Sequence, residues 1–299
     1  MSWRSVVISR PASLSLDNRA MQIRQDGNQA RVPLEDIAVL LIDHAQVSLT
    51  AQLLSACADR QIAVITVGQT HHPNGVLLPF HPHSRALKVM QAQLSLTQSR
   101  RKRLWQGIVR AKIANQSVVL SRRGAVDASR DLQKMVAHVQ PGDVGNMEGK
   151  AAQKYFRSLF ESRFTRQQAR FYNGVLDYGY AVVRAAIARS LVAYGFLPAF
   201  GLFHHNEQNA FNLADDLIEA YRPLVDWHVI THFPSEPESA ISPADKAVMV
   251  SLLHQDIRLS SHESGGRCTL LAAVETTVQT LSSIVVRETG SLAMPVLGE

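Results

Sequence analysis

The chain has 299 residues, 46% hydrophobic and 19% charged, with a net charge of +6. That length supports one large domain or two smaller ones with real cores, and the composition excludes a disordered protein. Two distant cysteines, Cys57 and Cys268, exclude a disulfide framework and a cysteine zinc site and fit a reducing, cytoplasmic setting.

The opening residues, MSWRSVVISR, lack a secretory apolar region. Short segments rich in Val, Ile and Leu follow, and they read as strands: Arg4–Ser9, Ser13–Leu16, Ala20–Arg24, Ala30–Leu34, Ala38–Ile42 and Ala63–Val67. Asp17-Asn18, Asp26-Gly27 and Asn74-Gly75 supply turn chemistry. The longest clean apolar run, Ile37 to Ile42, is far short of the ~20 residues a membrane span needs. One helix is expected from Ser48 to Arg60, with Leu49, Leu53, Leu54 and Cys57 on its stripe. Pro73, Pro79 and Pro82 mark a linker, and His71, His72, His81 and His83 read as linker residues.

Beyond Pro82 the pattern becomes helical. Leu87, Met90, Leu94, Leu104 and Ile108 recur at helical spacing, as do Tyr155 and Leu159, and then Tyr178, Val182, Ala185, Ala186 and Arg189. Ser242 and Pro243 form a helix start, Thr269–Val286 reads as a long helix, and the tail from Gly290 is expected to be loose. The fold class expected is α+β: a small, mostly-β N-terminal domain (1–80) followed by a larger all-α C-terminal domain (81–299).

Charge is unevenly spread. Residues 1–80 balance, whereas residues 81–130 hold eleven Lys and Arg against one acid, a net +10. Residues 131–190 carry +4 and residues 191–299 carry −8. A +10 segment attracts a polyanion, and nucleic acid is the commonest. Arg100, Arg101, Lys102, Arg103, Arg110, Lys112, Arg122 and Arg123 are therefore expected to face solvent and contact DNA phosphates. The ordinary alternative is a solvated helix face. The acids of the last third need a local role, such as holding a metal.

Three segments carry candidate chemistry. In DVGNMEGKAAQKYF, a helix starting near Gly145 or Asn146 puts Glu148 on one face with Ala151, Ala152, Tyr155 and Leu159. A carboxylate on an inward face must be paired, protonated or bound to a cation; the alternative is a first-turn Glu favoured by the helix dipole. His204 and His205 precede a helix in which Asp216 and Glu219 are i,i+3 neighbours, and Leu213, Leu217, Ala220 and Leu224 form its core stripe. Imidazole with carboxylates suits a divalent cation such as Mg²⁺ or Mn²⁺. The alternatives are a satisfied core His204 and, for Asp215, Asp216 and Glu219, N-terminal helix acids or an ion pair with Arg222.

The order and spacing of NMEGKAAQKYF, NGVLDYGYAVVR and GFLPAFGLFHHNEQNAFNLADDLIEAYRPLVD resemble the CRISPR adaptation integrase family, the first-numbered CRISPR-associated protein. The HHN…LVD segment is most similar to the branch that accompanies single-protein effector nucleases (type II). The resemblance implies a homodimer with an N-terminal β domain and a helical catalytic domain. It also implies a small ferredoxin-like partner subunit, and insertion of short DNA pieces into the CRISPR repeat array by metal-dependent transesterification, with related endonuclease chemistry. It assigns Glu148, His204 and Glu219 as catalytic metal ligands for Mg²⁺ or Mn²⁺, expected to converge on one ion. Asp216, His205 and Tyr155 would neighbour the site, with Tyr178 and Tyr180 as nearby aromatics. The rival readings are a non-catalytic basic DNA-binding scaffold with the same fold and an unrelated hydrolase of small phosphoesters.

Overall fold

The computed structural model describes residues 4–68, 73–79, 85–160, 165–166, 170–237, 240–260 and 266–298. Its N-terminal part is dominated by strands and its C-terminal part by helices, so the α+β architecture expected from the sequence is the one observed. His71, His72, His81 and His83 lie outside the described residues.

The strands are β1 (Arg4–Ile8), β2 (Ala12–Asp17), β3 (Ala20–Gln25), β4 (Asn28–Pro33), β5 (Ile37–Ile42), β6 (Val47–Leu49), β7 (Ala63–Val67) and β8 (Pro73–Leu77). They form two four-stranded sheets, ordered β4-β3-β2-β6 and β1-β5-β7-β8. In the first, β2, β3 and β4 run as an antiparallel meander and β6 lies parallel to β2. In the second, β1, β5 and β7 are parallel and β8 returns antiparallel at the edge.

Strand β5, IAVLLI, is buried throughout, as a continuous apolar run in a parallel sheet should be. Its pleat divides it between two cores. Leu40 and Ile42 join Leu14, Met21, Leu34 and Leu53 of the β half, while Val39 and Leu41 join the core of the helical half.

Helix α1 (Ala51–Asp59) starts three residues later than expected, because the Thr50 hydroxyl caps it by accepting a bond from Leu53 N. Ser48 and Leu49 pair as strand β6 instead. Pro73 is likewise not linker but the first residue of β8, a place where a missing N–H is tolerated.

The helices that follow are α2 (Ala86–Leu94), α3 (Gln98–Arg122), α4 (Val126–His138), α5 (Met147–Leu159), α6 (Phe171–Ala193), α7 (Asn212–Ile218), α8 (Arg222–His232), α9 (Pro243–Ser251) and α10 (Leu270–Arg287). The stripe expected through Leu87 and Leu94 does not face a core, since both are exposed; Val89, Gln93 and Leu96 are buried instead. Tyr178, Val182, Ala185, Ala186 and Arg189 are buried as expected. Ser242 and Asp245 complete a capping box at α9, and Thr269 caps α10.

The tail is not loose. Strand β11 (Pro295–Val296) pairs with β9 (Asp256–Leu259), which also pairs with β10 (Arg267–Thr269). Asn115 of α3 donates to Pro295 O and accepts from Leu297 N, each at 2.9 Å. A short tail without periodicity is thus ordered by backbone pairing and one buried amide, neither of which leaves a hydropathy signal.

Candidate active site

Helix α5 delivers Glu148. Asn146, in the left-handed region at φ 48°, caps the helix by accepting from Gly149 N. Asp143 accepts from Met147 N and Glu148 N, both at 2.9 Å, which fixes the first turn. A Cβ on Gly149 would stand 2.7 Å from Asn146 Oδ1, so a larger residue there would require the capping side chain to shift. Ala151, Tyr155 and Leu159 are buried beneath Glu148, as its helical face predicts.

The loop before α7 delivers His204. Fully buried Asp216 organises that loop: its carboxylate accepts from Leu202 N, Phe203 N and His204 N and meets His204 Nδ1 at 2.8 Å. Gly201 lets the loop close so tightly, since a Cβ there would lie 2.3 Å from His204 O and 2.7 Å from Asp216 Oδ2. Trp105 of α3 stacks flat on Phe203 at 4.4 Å, and the His204 ring stands edge-on to both at 5.7 Å. The Asp216 hydrogen bond, outweighing burial, raises the His204 pKa above the usual histidine range.

Asp216 therefore packs against His204 and acts on that ring. With Nδ1 engaged, Nε2 is the ring nitrogen left for other chemistry. His205 is exposed, its Nδ1 lying 2.8 Å from Phe203 O.

Glu219 sits at the end of α7, just before α8, rather than inside one continuous helix. It is buried. The expected alternative partner is present, with Arg222 Nε donating to Glu219 Oε1 at 2.8 Å. The other oxygen, Oε2, meets Lys112 Nζ, and the same ammonium meets Glu148 Oε1. Two carboxylates from separate segments, 71 positions apart in sequence, thus converge on one cation position. Burial would raise the Glu219 pKa, but Lys112 and Arg222 hold it down at about 2. Burial also opposes the Lys112 charge, yet the two carboxylates keep its pKa above the ordinary lysine range.

His204 and Glu219 line one open cavity of about 400 Å³, together with Asp177, Tyr180, Arg184 and Arg222. Asp215 does not pair with Arg222 but is clasped by Arg184. The Arg222 guanidinium lies 4.5 Å from the Tyr180 ring centre. Tyr180 donates to buried Asp226, whose pKa burial pushes up to about 6. Tyr155 is buried, and its pKa is raised well above 10 by burial and then by Asp226. Among the described residues, no three His, Cys, Asp or Glu side chains are gathered tightly enough to form a metal centre as they stand. The structure brings Glu148 and Glu219 together around Lys112 and puts His204 on the cavity that Glu219 shares.

Lys112 is the main departure from the expected charge map. It is 5% exposed, not solvent-facing. The signal was its place on α3, where Trp105, Ile108, Val109, Gln116 and Leu120 share its buried face at helical spacing.

Lys102, Arg103, Arg110, Arg122 and Arg123 are exposed, while Arg100 and Arg101 are half-buried. Arg100 pairs with Glu288 at 2.8 Å. Arg122 donates to Gly298 O and lies 5.0 Å from the Trp227 ring centre. Arg100, Arg103 and Arg110 line a groove of about 550 Å³ along α3.

A family model described as CRISPR associated protein Cas1 matches residues 6–238. A CRISPR-associated endonuclease Cas1 of Neisseria meningitidis serogroup C (strain 8013) is 42% identical over 260 residues, covering 87% of this chain and 86% of that protein. A solved casposase bound to integration product is similar with a TM-score of 0.77 and 17% identity, over 98% of this chain and 92% of that one. A chain of a solved Cas6-RT-Cas1–Cas2 complex is similar with a TM-score of 0.72 and 19% identity, over 96% of this chain and 35% of that one. The two structural likenesses are likenesses of fold; the family match and the Neisseria relative go further, and on them the chain belongs to the Cas1 family of CRISPR-associated proteins.

Proposed function

We propose that this protein is a metal-dependent DNA integrase and endonuclease of CRISPR spacer acquisition. The observation that carries the reading is the convergence of Glu148 and Glu219 on one cation position, with His204 on the adjoining cavity. The donor chemistry fits Mg²⁺ or Mn²⁺: two hard carboxylates aimed at one point and an imidazole with Nε2 uncommitted. Glu148, His204 and Glu219 would hold the ion. Bound there, a divalent ion supplies Lewis-acid polarisation of a phosphoryl oxygen and stabilises the charge that develops on it.

In the reaction, a DNA 3′-hydroxyl attacks a phosphate of the repeat. A new O–P bond forms as the strand's own P–O bond breaks, and a hydroxyl leaves with a proton. Water in place of the 3′-hydroxyl gives hydrolysis. Asp216 orients the His204 ring, and Arg222 holds the Glu219 carboxylate from the side away from Lys112. The groove lined by Arg100, Arg103 and Arg110 holds the phosphate backbone, and Lys102, Arg101, Arg122 and Arg123 extend that surface.

The β half, residues 1–80, serves a homodimer, residues 81–299 form the catalytic half, and a ferredoxin-like Cas2-type subunit completes the complex. The wording of the HHN…LVD segment supports the type II branch, and the work takes place in the cytoplasm. Among the described residues no helix is long and apolar enough to cross a membrane.

The test uses labelled DNA with Mn²⁺ or Mg²⁺, with and without EDTA, beside a small phosphodiester. Glu219→Gln is expected to abolish integration and cleavage while DNA affinity holds. Full activity of that variant under saturating Mn²⁺ would remove the metal-ligand assignment and favour the scaffold reading. Replacing Arg103 and Arg110 with Ala should lower DNA affinity across sequences and flatten its salt dependence by about 0.9 per lost contact.

A further inference from the structure

The cluster around Lys112 closes electrically without any metal. Glu148 and Glu219 bring two negative charges; Lys112 and Arg222 bring two positive ones. Glu219 and Lys112 are both buried, so either would be costly to leave unpaired. Lys112 is thus the group that lets two carboxylates from different segments stand side by side. Its Nζ occupies a point in contact with Oε1 of Glu148 and Oε2 of Glu219, between the two carboxylates that would hold the ion. A divalent ion added with Lys112 still seated would leave the cluster at a net +2 in a largely buried place.

We propose that Lys112 is a tethered competitor for the divalent cation: its ammonium holds Glu148 and Glu219 in the metal-free protein and is displaced when the ion binds. This rests on the metal-dependent reading above. The flexible four-carbon stem allows the ammonium to swing away while α3 stays in place. Every metal-binding event then carries the cost of removing the lysine, and apparent metal affinity is lowered by the fraction of molecules in which the lysine is seated.

The experiment measures Mn²⁺ binding without DNA, from the electron paramagnetic resonance of free Mn²⁺, alongside melting curves in EDTA and in Mn²⁺. Lys112→Met keeps the stem and removes the charge. It is expected to bind Mn²⁺ about tenfold more tightly than the unaltered protein. Its melting temperature should fall in EDTA and recover with Mn²⁺ by more than the unaltered protein gains. Adding Glu148→Gln to Lys112→Met should abolish the tight binding, which assigns the ion to this cluster. Should Lys112→Met not fold in EDTA, Lys112→Gln, which retains a hydrogen-bond donor, provides the same comparison. Equal or weaker Mn²⁺ binding by the charge-removing variants, with clear binding by the unaltered protein, would overturn the competitor role and leave the metal reading standing. Absence of Mn²⁺ binding in every form would overturn both.

Discussion

Two lysines, Lys112 and Lys246, are almost fully buried, and their surroundings differ in one respect. Lys246 of α9 reaches the Asp43 carboxylate at the end of β5, Nζ to Oδ2 at 2.7 Å, near the Tyr178 ring. That contact lies at the seam between the β half and the helical half. Lys112 instead meets two acids, and Arg222 meets one of them from the far side. The Lys246–Asp43 contact joins two elements of the fold. A cation shared by two carboxylates forces together groups that would otherwise repel, and such a pair is what a second cation can compete for.

The largest expected effect comes from breaking the seam. Lys246→Met takes this ammonium away from the buried Asp43 carboxylate and is expected to cost about 3–5 kcal/mol in urea unfolding. Adding Asp43→Asn should recover much of that loss. A cost below about 1 kcal/mol would place this pair with weak surface bridges and remove the contrast with Lys112.

Next in size is Asp216→Asn. The sequence marks Asp216 only as a neighbour of Glu219, yet it receives three backbone N–H groups and the His204 ring. Its replacement is expected to cost about 2–3 kcal/mol and to return the His204 pKa towards the ordinary value, read by NMR titration. The sign for His204 follows from its raised pKa. The stability it contributes is complete below about 6.5 and is lost as pH rises through the folded value. In the variant that alkaline loss should shrink.

A smaller, pH-resolved effect separates two buried acids. Glu219, held at about 2, contributes stability that is complete above about 4.5 and fades as pH falls towards 2. Asp226, pushed up to about 6, works in the opposite direction: its contribution is complete below about 3.8 and is lost as pH rises through 6. Denaturation from pH 3 to 8 should show Glu219→Gln flattening the acid limb. Asp226→Asn should flatten the decline between about pH 4 and 6, each by roughly 1–3 kcal/mol. Parallel curves for the two variants would remove the distinction between a cation-matched carboxylate and one governed by burial.

Much of the β half is legible in the sequence because its signals are local. Alternation, turn residues and the IAVLLI run mark β2, β3 and β5 within a residue or two. The start of α1 is missed because strand β6 is fixed by pairing with β2, a contact made far away in sequence. The same limit applies at the site. Family resemblance points to Glu148, His204 and Glu219, but Lys112, which gathers the two acids, is read as one more member of a basic run. Lys112 differs from Arg103 and Arg110 only in the helix face it occupies, and a count of charges does not register faces. Asn115, which secures the tail, lies three residues further along α3 and escapes notice because a lone amide carries no periodic signal.

The division of β5 between two cores limits how freely the halves of such a molecule can be shuffled. Leu40 and Ile42 are shaped by Met21 and Leu53, whereas Val39 and Leu41 belong with the helices. A foreign N-terminal half grafted onto this helical half would have to carry, on alternate residues of a single strand, side chains fitted to partners it had never met. The place to recombine such chains is therefore away from this sheet, and a chimera joined after residue 80 carries the mismatch inside its own central strand.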